Sequence, residues 1–355
     1  MVIRDDSGSA PCRGGSVSFY PETFQCALSE PEYDLLMPPA PALRPGISVV
    51  IPVKNRSHLL AQTLKSVREQ TMPVDEIVVV DDGSTDDSAE VGRHAGATVI
   101  ANNSGHAGPA TARSLGLSRV STQLACPLDS DDLLLPQAIE KLTEALARSP
   151  GAPFAFGRAL LAAREADEWH PRGIVAPLDG EMENLPCSLY TRNFVPASSV
   201  VVRTRDILEA GGYPTWMDHN EDHYVWIQLA RRGAPVHVPE VLTVARRHAG
   251  NRYDPVAVAA VAEITRVAND DPRLAPCIPD RLGVQVLDMA TLAFRAHRRS
   301  DAMGVVWELL VRQRHRRRIV KSALYRWRTR RVSARQGNEL WLSDSQLRGF
   351  LSTYE

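Results

Sequence analysis

Apolar runs and helical periods alternate along residues 46–148. Ile47-Ser48-Val49-Val50-Ile51 is a short β-branched run closed by Pro52, the pattern of a strand buried on both faces. Leu60, Leu64 and Val67 then recur on one helical face, which predicts a helix up to about Gln70. Ile77-Val78-Val79-Val80 repeats the buried-strand pattern and runs straight into Asp81-Asp82-Gly83-Ser84. A helix, a third strand at Thr98-Val99-Ile100, a helix starting near Pro109 and a fourth strand at Gln123-Leu124-Ala125-Cys126, ending at Asp129, continue the series. Residues 136–148 form an amphipathic helix with Pro136 in its first turn. Strands alternating with helices of this length predict βαβ units and a parallel sheet with helices on both faces, an α/β fold.

The flanking regions have a different texture. Residues 1–45 hold seven prolines and no helical or strand period, and read as an N-terminal extension. Residues 150–200 mix short apolar runs with turns and predict mixed sheet. Two helices are expected over 203–232, split by Gly211-Gly212-Tyr213-Pro214, and from about 255 onward the pattern is helical almost throughout. The expected division is 1–45 as extension, 46–250 as the α/β domain (46–132 and 133–250 as its halves), and 251–355 as a helical C-terminal region. Between Arg312 and Arg331 lie ten Lys or Arg residues and no acid, interleaved with Ile319, Val320, Leu324, Tyr325 and Trp327. That string admits two readings: a solvated helix face or self-association contact, or a patch for a membrane surface or an anionic acceptor.

Composition narrows the field. With 355 residues and 44% hydrophobic content the chain can bury a large core, and a net charge of −1 argues against a general nucleic-acid binder. Cys12, Cys26, Cys126, Cys187 and Cys277 include no C-x-x-C pair, so neither a zinc knuckle nor a disulfide framework is expected. Asp5 and Asp6 stand where a leader would need an apolar run, and no run of about 18 apolar residues occurs. The expected location is cytoplasmic, at most peripheral at a membrane.

Candidate chemistry falls at strand ends, where open α/β sheets bind ligands. One acidic cluster is VVVDDGSTDDS at 78–88 and another is LDSDD at 128–132. Asp-Gly-Ser is also ordinary turn chemistry, and Asp-x-Asp occurs by chance. Two such clusters at strand ends of one sheet point instead to a hard divalent cation with a diphosphate, since carboxylate oxygens suit both tasks. Glu221 and Asp222 open a predicted helix, where acids complement the helix dipole. Trp226, one turn on, reads as core. Arg246 and Arg247 either pair with a diphosphate or face solvent; a lone histidine such as His248 is more often a surface or hydrogen-bonded residue than a ligand, and His106 receives no role.

The ordered segments ISVVIPVKN (47–55), EIVVVDDGSTDDS (76–88), NNSGHAGPATARSLGL (102–117), LDSDD (128–132) and GGYPTWMDHNEDHYVWIQLARRG (211–233) resemble the family 2 glycosyltransferases. The resemblance spans about 200 residues and implies a GT-A, Rossmann-like mixed sheet flanked by helices. It implies inverting transfer of a sugar from a nucleotide-diphosphate donor, of the UDP type, to an acceptor hydroxyl, with Mn2+ or Mg2+. By position, Pro52 and Lys54 line the nucleotide, Asp82 reads the base, and Arg113 contacts the donor. Asp129 lies near the ribose, Asp131 on the metal, Glu221 and Asp222 supply the general base, and His248 helps hold metal or diphosphate. Ser114 stands where the family often has asparagine. Residues 133–200 and the last hundred carry no family motif, so the acceptor stays open. A nucleotide-sugar pyrophosphorylase would need a glycine-rich signature at the first strand and an oxidoreductase G-x-G-x-x-G, and neither is present. A nucleotide-sugar-binding module with lapsed chemistry is the other reading.

Overall fold

The computed structural model describes residues 44–165, 168–217, 220–248 and 272–280, together with Arg317, Val320, Lys321, Leu324 and Thr353. Most of the proline-rich extension, and most of the predicted C-terminal helical region with its basic string, lie outside the described residues.

The predicted alternation is present. β1 (Ile47–Val53), α1 (Ser57–Arg68), β2 (Glu76–Asp81), α2 (Ser88–His94), β3 (Thr98–Ala101), α3 (Pro109–Leu117) and β4 (Leu124–Pro127) follow in order. β3, β2, β1 and β4 are parallel neighbours, with Val50 opposite Val78 on one side and Pro127 on the other. β1 does not stop at Pro52 as expected. It runs to Val53, with Pro52 beside Val80 and Val53 beside Asp81. The next elements are β5 (Leu133–Leu134), α4 (Ala138–Ala147), β6 (Phe154–Glu165), β7 (Glu168–Val175), α5 (Cys187–Thr191), β8 (Val200–Arg203), α6 (Thr204–Glu209), α7 (Glu221–Ala230) and β9 (Val236–Arg247). Pro136 therefore precedes α4 rather than lying in its first turn.

Among the described residues the strands form one mixed sheet in the order β3-β2-β1-β4-β8-β6-β9-β5, with β7 added against β6. β8 enters antiparallel to β4, with Ala125 opposite Val202. Successive residues of β1 feed opposite cores, as period-2 geometry requires. Val49 and Ile51 pack with Leu60, Leu64 and Val67 of α1 and Ile139, Leu142 and Leu146 of α4. Val50 packs on the other face with Ala112 and Leu117 of α3 and with Trp226 of α7. Trp226 is fully buried, its ring 5.3 Å from that of Phe154, so it is core, as read from the sequence.

α3 approaches the sheet through Gly116. A Cβ there would meet Val50 Cγ1 at 2.4 Å and Val80 Cγ2 at 3.0 Å, both side chains of the packed sheet. Alanine gains about 1 kcal/mol over glycine in helix propensity. Overpacking a well-filled core costs about 1–3 kcal/mol. Gly116→Ala is therefore expected to lower the thermal midpoint, although it is a helix-favouring change. An unchanged or raised midpoint would show that the α3–sheet contact can yield.

One expectation is corrected. Cys187 and Cys277 form a disulfide, with Cα atoms 5.6 Å apart and a sequence separation of 90. Spacing rules see only nearby cysteines, whereas this pair meets where α5 packs against a short 3-10 turn, Ala275–Cys277. Cys126 is buried and free, and burial pushes its thiol up to about 12. Among the described residues no helix is long and apolar enough to cross a membrane.

Candidate active site

Asp82 follows β2 directly, and its backbone N–H donates to Val53 O at 2.8 Å, holding two strand ends together. Its carboxylate is largely buried, accepting from Asn102 Nδ2 at 2.6 Å and from the Gly108 N–H at 2.8 Å. Gly108 has φ +139°, a conformation that glycine adopts without strain, and it leads into Pro109 of α3. Asp82 thus fastens the 102–108 loop. Lys54 Nζ lies 4.0 Å from Asp82 Oδ2 with its side chain 41% exposed, and Pro52 lies two residues earlier in β1.

β4 delivers the second cluster. The Leu128 N–H still donates to Val50 O, after which Asp129 to Asp132 turn sharply, closed by a 3.1 Å bond from Asp132 N–H to Asp129 O. Thr63 of α1 supports this turn, its hydroxyl 2.8 Å from Asp132 O and 3.0 Å from Ser130 O. The three carboxylates, Asp129, Asp131 and Asp132, each place an oxygen within 4.8 Å of the others. They are not equivalent. Asp132 accepts from Ser198 Oγ at 2.6 Å and from Arg246 N–H at 2.9 Å, so it ties the turn to β9. Burial, followed by the charges of Asp131 and Asp129, pushes its carboxyl well above the usual range.

Asp131 is almost fully buried, and its Oδ2 receives Arg56 Nη1 at 2.8 Å and His248 Nε2 at 3.0 Å. Burial raises this carboxyl, but the His248 hydrogen bond and the positive charges of Arg56, His248 and Arg246 outweigh it and hold the group low. An ionised carboxylate beside a second, partly exposed one is an oxygen donor set suited to Mg2+ or Mn2+. Asp131 and Asp129 fit that task, whereas Asp132 has both oxygens engaged by the protein. Arg246 matches neither sequence reading. It is 3% exposed, lies over the Trp169 ring at 5.7 Å, and donates to Asp131 O and Gln62 Oε1. Arg247 is exposed.

The far wall comes from α7. Arg113 of α3, 5% exposed, donates from Nη2 to Asp129 Oδ1 and from Nη1 to Glu221 Oε1, each at 2.5 Å. Both charges hold its guanidinium ionised against the cost of burial. One buried cation therefore joins the β4 turn to the first residue of α7. Next to Glu221, Asp222 accepts from Asn193 Nδ2 at 3.1 Å and from the His223 N–H at 2.7 Å. Burial and the Glu221 charge raise its carboxyl to about 6, against the opposing pull of Arg113 and the two hydrogen bonds. A carboxylate poised there is suited to accepting a proton near neutral pH.

The sequence-predicted residues thus fall into three linked groups: Pro52, Lys54 and Asp82; Asp129, Asp131 and His248; and Arg113, Glu221 and Asp222. Arg56, Asn193 and Ser198 were not anticipated. Arg56 adjoins the Pro52-Val53-Lys54-Asn55 segment and was within reach of that motif. Asn193 and Ser198 lie in a stretch without motifs, and only long-range contacts reveal them.

The described sheet and helices have the GT-A arrangement. The crystal structure of S. aureus TarS 1-349 in complex with UDP-GlcNAc matches with a TM-score of 0.51 at 16% identity, covering 76% of this chain and 93% of that one. Residues 48–206 match the model of glycosyl transferase family 2. The pre-mycofactocin glycosyltransferase of Mycobacterium tuberculosis is 28% identical over 224 residues, 62% of this chain and 46% of that protein. The amylovoran biosynthesis glycosyltransferase AmsE of Erwinia amylovora is 28% identical over 198 residues, 54% of this chain and 72% of that protein. An uncharacterised glycosyltransferase of Rickettsia conorii is 39% identical over 102 residues, where the chain covers only 16% of that protein. The chain thus spans less than half the length of two of these three relatives.

Proposed function

We propose that this chain is an inverting, metal-dependent glycosyltransferase that moves a sugar from a UDP-type nucleotide-diphosphate donor to an acceptor hydroxyl. The observation that carries the reading is the Arg113 bridge, which ties Asp129 beside the oxygen donor set to Glu221 beside the raised Asp222. Donor-side and acceptor-side equipment are thereby held in one constellation.

In this reading Asp222 accepts the proton of the acceptor hydroxyl as its oxygen attacks the anomeric carbon from the face opposite the diphosphate. The bond from that carbon to the diphosphate oxygen breaks, the configuration inverts, and the nucleoside diphosphate leaves with the bonding electrons. Asp131, with Asp129, is the set that would hold Mn2+ or Mg2+, and His248 steadies the Asp131 carboxylate. The chemistry such a cation supplies is neutralisation of charge gathering on the leaving diphosphate. Asp82 and Lys54 line the nucleotide. The uracil assignment rests on the family position of Asp82, and UDP-GlcNAc is the ligand in the TarS structure of the same fold.

The test is a thermal-shift panel of UDP, GDP, dTDP and CDP, each with and without Mn2+. A ligand at about a hundredfold excess over its Kd stabilises the native state by about 2.7 kcal/mol. The expected result is a shift with UDP that requires Mn2+. A shift with GDP or dTDP instead overturns the uracil assignment. Shifts indifferent to Mn2+ overturn the metal. A shift with no release of UDP from a UDP-sugar favours the lapsed binding module, and flat traces throughout overturn nucleotide binding.

A further inference from the structure

We infer that Arg56 is a resident counter-cation of the metal seat: its guanidinium holds the Asp131 carboxylate in the ligand-free chain and must give way before a divalent cation can take that oxygen. The inference rests on the proposed metal role of Asp131.

The backbone fixes where Arg56 starts. Asn55, with φ 52°, turns the chain out of β1, and its N–H donates to Ser84 Oγ at 3.0 Å. The Arg56 N–H donates to Ser88 Oγ at 3.1 Å, and its carbonyl accepts the Leu60 N–H in the first turn of α1. From that anchored point the side chain crosses to Asp131, 75 residues away in sequence, and Nη1 donates to Oδ2 at 2.8 Å. Asp131 is only 4% exposed there, so the pair is not a screened surface contact.

Arg246, His248 and Arg56 all act on Asp131, and they differ in how they are held. Arg246 is buried, bonded to Asp131 O and Gln62 Oε1 and stacked on Trp169, so its guanidinium is locked. His248 shares Oδ2 with Arg56, at 3.0 Å. The Arg56 side chain is 23% exposed and has a path to water that Arg246 lacks. Arg56 is thus the full positive charge that can exchange. Its occupancy pairs and orders the buried carboxylate, at the expense of affinity for a bare metal ion. A divalent cation arriving with a diphosphate brings its own countercharge and overcomes the competition, whereas a bare ion does not. The expected behaviour is weak binding of Mn2+ alone and much tighter binding of Mn2+ with nucleotide.

The test compares wild type, Arg56→Met, Arg56→Lys and Asp131→Asn by Mn2+ titration, read by electron paramagnetic resonance of free Mn2+, with and without UDP. Removing this competitor is expected to tighten binding of Mn2+ alone about tenfold in Arg56→Met, which corresponds to about 1.4 kcal/mol. Arg56→Lys, which keeps the charge, is expected to stay near wild type, and Asp131→Asn to lose Mn2+ under all conditions. If wild type binds Mn2+ with UDP, but Arg56→Met binds Mn2+ alone no more tightly than wild type does, the role of Arg56 is overturned while the metal site stands. If Mn2+ binds neither wild type nor Arg56→Met, with or without UDP, the metal reading falls and this inference falls with it. Circular dichroism of each variant separates loss of the site from loss of the fold.

Discussion

Asp222→Asn is expected to lower turnover by about 10²–10⁴, the usual contribution of a positioned general base, while leaving UDP binding within a few-fold of wild type. The readout needs no identified acceptor, because UDP release from a UDP-sugar with water as nucleophile draws on the same base. Asparagine keeps a similar shape and can keep the contact with Asn193, so the loss reports the carboxylate and not a collapsed loop. The pH dependence sharpens the expectation. Asp222 works ionised, and burial and Glu221 raise it to about 6, opposed by Arg113. Wild-type kcat/KM is therefore expected to fall about tenfold per pH unit below about 6 and to level above it. Stability moves in the opposite sense. A carboxyl whose folded pKa exceeds its unfolded value contributes stability that is fully present below about pH 4 and lost as pH rises through about 6. The ionised form thus costs the folded state on the order of 3 kcal/mol at neutral pH. Asp222→Asn removes that cost, so it is expected to be inactive and more thermally stable at pH 7.5. A variant that is stabilised yet still turns over would remove Asp222 from the chemistry.

The parts of this arrangement that the sequence disclosed are those encoded locally. Val78, Val79 and Val80 are fully buried because β2 lies between β1 and β3 with helices on both faces, and such a strand reads as an unbroken apolar run. A carboxylate just beyond such a run must emerge at the strand end, which is why Asp82 and the 129–132 turn were legible. Pairings across long separations were not. β6 runs parallel to β9 from Ala155 beside Val236 to Ala163 beside Arg247, with register shifts, and no local period specifies that register. The partners Asn193 of Asp222 and Arg56 of Asp131 come from such distant segments, as does the Cys187–Cys277 pair. Arg246 shows the same limit in another way. Beside Arg247 it reads either as a diphosphate partner or as a solvent-facing residue, yet strand alternation turns it inward, onto Trp169 and the Asp131 carbonyl, and leaves Arg247 outside.

Arg113→Met is expected to be the most destabilising single change at the site. Family position assigns this arginine to the donor, but here it is 5% exposed with both outer nitrogens committed, to Asp129 and Glu221 at 2.5 Å each. Removing one partner of a buried pair leaves uncompensated charge and costs about 3–5 kcal/mol. In a domain of this size that corresponds to a fall in thermal midpoint on the order of 10 °C. The Arg113 charge also restrains the Asp222 carboxyl, so its loss is expected to move the acid limb of kcat/KM to higher pH. Two further variants separate structure from chemistry. Glu221→Gln in the Arg113→Met background removes the stranded carboxylate and is expected to recover part of the midpoint, a positive coupling measured by the double-mutant cycle. It is not expected to recover turnover, because the link between the β4 turn and α7 stays broken. Arg113→Lys keeps one charge but lacks the geometry to serve both carboxylates, and is expected to fall between wild type and Arg113→Met in midpoint. If Arg113→Met instead leaves the midpoint unchanged and raises only the KM for the UDP-sugar, the arginine serves the donor rather than the join between the two walls.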